Sequence, residues 1–164
     1  MPDYLDQLST YDSVLVALVL KNSSLNQSQV DEAVLGFLAA DEDTRADLAH
    51  RFVELGLLSR TEMYRLVKAR NFALLRKEDK RIARRAVRKG YISRTRINDA
   101  LIFQKQLFKA IGNIKRLHEI LIDDGSLSRE QVNAIWAEYR EYLHRRGERP
   151  AEARTDPALL KKQG

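Results

Sequence analysis

An eight-residue phrase returns along this chain at near-constant spacing, and that periodicity restricts the fold to an array of similar helical units. Gly56-Leu57-Leu58-Ser59-Arg60-Thr61-Glu62-Met63 recurs as Gly90-Tyr91-Ile92-Ser93-Arg94-Thr95-Arg96-Ile97 and as Gly125-Ser126-Leu127-Ser128-Arg129-Glu130-Gln131-Val132. A fainter copy runs Ser23-Ser24-Leu25-Asn26-Gln27-Ser28-Gln29-Val30, and the offsets are 33, 34 and 35 residues.

Each position of the phrase has a role in a helix–turn–helix joint. Glycine ends the first helix, because the residue just past a helix commonly enters the left-handed region, which only glycine does freely. Ser59, Ser93, Ser128 and Asn26 are then N-caps, whose side-chain oxygens accept backbone N–H groups that have no partner in the first turn. Three residues on, Glu62, Gln131 and Gln29 can reach back to close a capping box, and Arg96 breaks that part of the pattern. Leu58, Ile92, Leu127 and Leu25 precede the caps and can staple onto Met63, Ile97, Val132 and Val30.

Between joints the apolar residues keep helical spacing: Ile82, Ala83, Ala86 and Val87, then Ile97, Ala100, Leu101 and Phe108, then Val132, Ile135, Trp136 and Tyr139. No stretch alternates with period two over the length of a strand. Val14 to Leu20 is rich in β-branched residues, but with no partner strand it reads as a helix buried all round. The expected fold is therefore all-α: four helix–turn–helix repeats of about 34 residues, in a compact bundle or short solenoid. It would occupy residues 1–143 as one domain. Residues 144–164 combine Gly, Pro and dense charge with few apolar side chains, the composition of a basic flexible tail.

Charge is distributed unevenly. Residues 1–55 carry ten acids against three bases, net −7, whereas residues 60–96 carry fourteen bases against three acids, net +11. An anion would be drawn to the middle of the sequence. Cysteine is absent, which excludes disulfides and thiolate metal sites and is compatible with a cytoplasmic location. The longest apolar run, Val14 to Leu20, is too short to span a bilayer, and the acids before it are wrong for a secretory leader.

Catalytic machinery is not in view. The three histidines, His50, His118 and His144, are far apart and form no His-Glu-x-x-His pattern. The glycines are scattered, and no Gly-rich phosphate loop exists. Asp123 and Asp124 are adjacent carboxylates that would need further ligands to hold a metal, and they read as a helix end. The expectation is a binding protein with no catalytic residues, no metal and no cofactor.

The most informative surface feature is the basic run from Lys77 to Lys89. Arg81, Arg84, Arg85 and Arg88 follow i, i+3, i+4, i+7 spacing, so they share one face, where like charges repel unless an anion neutralises them. Phosphate suits them, because a guanidinium offers it a planar fork of donors. Within this region Arg81-Ile82-Ala83, Gly90, Ile97, Leu101 and Gln104 resemble the motif of the N-terminal domain of type II secretion and type IV pilus assembly ATPases, which begins Arg-Leu-Gly and continues through a glycine, two leucines and a glutamine at fixed offsets. The next unit matches in part through Arg116, Leu117, Gly125, Val132 and Trp136, with Tyr139 in place of the glutamine. The third residue of the motif is Ala83 or His118 here instead of glycine, and this chain has no ATPase domain.

The resemblance implies cyclic di-GMP as ligand, with Arg81, Ile82, Ile97, Leu101, Gln104, Arg116 and Leu117 as candidate binding residues, and the shared arginine face adds Arg84, Arg85 and Arg88. The leading expectation is a free-standing bacterial regulatory or adaptor module holding a protein partner and a cyclic dinucleotide. Two alternatives use the same charges: a nucleic-acid-binding protein working through the basic middle and tail, and self-assembly of acidic halves on basic halves.

Overall fold

The computed structural model describes residues 3–151. Among the described residues it contains a 3-10 turn, Asp3–Gln7, and seven α-helices, and no strand. The helices are α1 Thr10–Asn22, α2 Gln27–Ala39, α3 Leu48–Glu54, α4 Arg60–Arg88, α5 Arg94–Ile111, α6 Leu117–Asp123 and α7 Arg129–Arg145.

The four sequence joints are the links α1–α2, α3–α4, α4–α5 and α6–α7. Asn26, Ser93 and Ser128 accept from the amides of Gln29, Arg96 and Gln131. Ser59 accepts from Glu62 N at 3.1 Å. Capping boxes close at Asn26 and Ser128 but not at Ser93, where the side chain of Arg96 instead donates to Ser126 Oγ at 2.8 Å. Gly90 and Gly125 hold φ of +74° and +78°, the region a side chain disfavours. Ser23, at the joint without glycine, ends α1 in extended backbone at φ −125°. Seven helices serve four joints because α4 closes one joint and opens the next without a break.

The described chain divides into two compact units at Asn71/Phe72, inside α4. In the first, Leu15, Val19, Val30, Val34 and Phe52 are fully buried together. Burying each such side chain contributes roughly 1.5–3 kcal/mol. Here α1 is not buried all round: Ala17 faces solvent, the small residue taking the outer position while Leu15, Val16 and Val19 face the core. Arg70 is 2% exposed, and its guanidinium lies over the Tyr11 ring at 3.5 Å and donates to the Tyr11 hydroxyl.

In the second unit Ile82, Ala86, Ile97, Leu121, Ile135 and Leu143 form the core. Helix α7 runs past residue 143 to Arg145, and the following chain turns back so that Ala151 is buried, its amide donating to Glu78 Oε2 at 2.7 Å. The rest of the expected tail lies outside the described residues. No described helix is long and apolar enough to cross a membrane.

Candidate functional site: a basic groove between α4 and α5

Gly90 reverses the chain, so α5 runs back along the second half of α4. Arg76 Nη1 donates to the Leu101 carbonyl at 2.8 Å, and the Phe72 and Phe108 rings stack with centroids 4.1 Å apart. These contacts bring Arg84 and Arg88 opposite Arg94 and Asn98. Between them lies an open groove of about 620 Å³. Ala83, Val87, Ile97 and Leu101 give it an apolar floor, and Lys80, Arg84, Arg88 and Arg94 give it a cationic rim with Asn98. Among the described residues none of those four cations makes a salt bridge. The volume falls within the ~300–1,000 Å³ typical of small-molecule sites.

Helical phase explains the rim. Every exposed side chain of α4 between residues 72 and 88 lies on one stripe, Ala73, Lys77, Lys80, Arg84 and Arg88, at spacings of three and four. Four of those five are cations, and the two acids of this stretch, Glu78 and Asp79, point inward at 3% and 1% exposure.

Beneath the groove those acids anchor a buried polar network. Arg116, the N-cap residue of α6, sits 2.9 Å from Glu78 and 2.8 Å from Asp79. Burial by itself would lower the pKa of Arg116, but the Asp79 and Glu78 carboxylates outweigh it and raise the pKa. Asp79 also accepts from Leu117 N at 3.0 Å and from Gln104 Nε2 at 2.7 Å. Gln104 completes its valences with Arg76 Nη1 at 3.1 Å and the Lys115 carbonyl at 3.0 Å. Burial lowers the pKa of Arg76, and the nearby Asp79 opposes that shift. Tyr139 donates to Glu78 Oε2 at 3.2 Å. Its phenol is raised in pKa by burial and by Glu78, against the lowering influence of Arg81.

The ten sequence candidates therefore fall in four places. Arg84, Arg88, Ile97 and Leu101 line the groove. Ile82 and Leu117 belong to the core, and Gln104 and Arg116 are locked in the network. Arg81 and Arg85 turn toward α7: Arg81 lies against Tyr139, and the Arg85 guanidinium sits 4.8 Å from the Tyr142 ring centre. The sequence stripe thus splits, and Arg84 and Arg85, one apart on the helix, point about 100° apart.

Lys80, Arg94 and Asn98 were missed, although the apolar stripe Ile82, Ala83, Ala86, Val87 phases the helix and puts Lys80, Arg84 and Arg88 at its outer edge. Arg94 and Asn98 left no comparable signal, since they reach the groove only through the reversal at Gly90. Of the three histidines, His50 lies 3.2 Å from the Asp47 carboxylate, His118 packs edge-on against Trp136, and His144 is exposed. Asp123 pairs with Lys115 at 2.5 Å, and Asp124 accepts from Ser126 N at 2.8 Å. Among the described residues no three or more His, Asp or Glu converge to hold a metal ion. Compared with protein-family models, curated proteins and solved structures, the chain matches none.

Proposed function

We propose that this chain is a non-enzymatic regulatory or adaptor module of the cytoplasm whose α4/α5 groove takes a phosphate-bearing ligand, a cyclic dinucleotide such as cyclic di-GMP being the form its motif implies. The observation that carries the reading is the groove itself: four cations, in no salt bridge among the described residues, surround an apolar floor. Guanidinium groups would take the phosphates, and Val87, Ile97 and Leu101 would lie under the flat bases. In this reading Gln104 and Arg116 are positioning residues, holding α4, α5 and α6 in register beneath the groove. The four joints are taken as copies of one unit of about 34 residues, with α4 shared by the second and third.

Calorimetric titration with cyclic di-GMP, with linear diguanylate and a short RNA as comparators, tests the proposal. Micromolar binding of the cyclic form, about −8 kcal/mol, weakened by Arg84→Ala and Arg88→Ala, is the expected result. Absence of binding by every phosphate compound would overturn it.

A second reading, single-stranded nucleic acid, is favoured by one further feature. The cations continue beyond the groove through Lys77 on α4 and Lys105 and Lys109 on α5, all exposed. A bound strand would show a log–log salt slope of about −0.7 per phosphate contacted. A compact dinucleotide touching one or two cations would show a much shallower one.

A further inference from the structure

The two walls of the α4/α5 groove differ in what they can bond. The α4 wall presents Lys80, Arg84 and Arg88, one per helical turn and donors only. The α5 wall presents Arg94 and Asn98, four residues apart on one face, with Ile97 and Leu101 beside them on the floor. Both polar side chains are exposed. Neighbours at this spacing have Cβ atoms about 5–6 Å apart, so one ligand edge can touch both. No carboxylate lines the groove, and Asn98 Oδ1 is the one side-chain acceptor among the residues that do. Asp99, next in sequence, lines a separate hollow with Arg96 and Lys115.

Three cations in a row suit phosphate oxygens, which only accept. A donor fork beside a lone acceptor suits the edge of a base. We propose that the α5 wall reads guanine, Arg94 donating to O6 and N7 and Asn98 Oδ1 accepting the N1 proton, while the α4 wall holds phosphate. This assignment rests on the groove being a phosphate-ligand site. The guanine edge runs acceptor, acceptor, donor from N7 through O6 to N1–H, and the arginine fork fits the first two. Adenine carries an amino group where guanine has O6, so it meets the fork donor to donor. Asn98 alone makes no choice, because a carboxamide turned over pairs as well with adenine. The selection comes from the pair.

Calorimetric titration of the full chain with cyclic di-GMP and cyclic di-AMP separates the two walls. Both compounds carry the same phosphates, so the α4 wall treats them alike. Cyclic di-GMP should bind about tenfold tighter or more, the discrimination of one bidentate base contact. Arg94→Lys keeps the charge but loses the fork, and Asn98→Ala loses the acceptor. Each should weaken cyclic di-GMP alone and bring the ratio toward one, with circular dichroism confirming that the helices are intact. Arg88→Ala should weaken both compounds and leave the ratio unchanged. GMP against AMP, and the RNA pentamers UUGUU against UUAUU, identify the source of the base as the pair of highest affinity. Equal binding of the guanine and adenine members in every pair, or a preference that survives both α5 substitutions, would overturn base reading and leave the phosphate site standing. Binding of no compound at all would remove both.

Discussion

Arg116 concentrates the chemistry of the second unit into one side chain. It pairs with two buried carboxylates, and they are the reason a charged residue is stable there at 6% exposure. Removing it strips the buried Glu78 and Asp79 of their ion-pair partner, a change that costs about 3–5 kcal/mol. Urea unfolding of Arg116→Met should show that loss. At Gly125, φ of +78° predicts that alanine costs about 1–2 kcal/mol, even though its methyl group would meet nothing within 4 Å. A loss near zero in the same assay would remove backbone conformation as the reason for glycine.

Asp12 gives a pH signature. Burial raises its pKa above 3.8, against the lowering influence of Ser9 and Arg70. The folded state therefore holds this proton more tightly than the unfolded state, and stability falls as pH rises from 3.8 through the raised value. Asp12→Asn lacks that component. The stability of the wild type relative to the variant should thus decline between acid and neutral pH, as read from denaturant midpoints.

At the scale of elements the sequence was legible where a local rule has one solution. A capping serine three residues before the amide it binds, and a glycine entering positive φ, are chemistry within a few residues. That is why the joints at Ser59, Ser93 and Ser128 were readable. What lay between joints was less so. No turn residue interrupts α4, so two expected helices are one of 29 residues. The position of Gln104 looked like a ligand contact, yet Arg70, Gln104 and Tyr139, its equivalents at spacings of 34 and 35, are all nearly fully buried. Each makes a side-chain hydrogen bond to a residue distant in sequence, to Tyr11, Asp79 and Glu78 respectively. A motif offset reports the spacing a hairpin requires, and tertiary contacts decide whether the side chain faces a ligand. For the groove, Arg84→Ala and Arg88→Ala should each weaken binding of a phosphate ligand about tenfold or more, the equivalent of one charge-assisted contact of about 1.5–3 kcal/mol. Arg81→Ala, on the side facing α7, should leave it nearly unchanged.

For the molecule as a whole, the sequence showed a net −7 stretch followed by a net +11 stretch. The fold divides the described residues at Asn71/Phe72, inside the basic stretch, so Arg60, Arg65, Lys68 and Arg70 stay with the acidic first unit. The charge asymmetry was readable from the sequence, but the groove was not, since it arises only when α5 folds back on α4. The proposed ligand site in that groove is tested most directly by mapping backbone amide shifts during titration with cyclic di-GMP. Perturbations confined to residues 80–101 at the α4/α5 groove are predicted. Shifts centred on the first unit, or none at saturating ligand, would contradict the account.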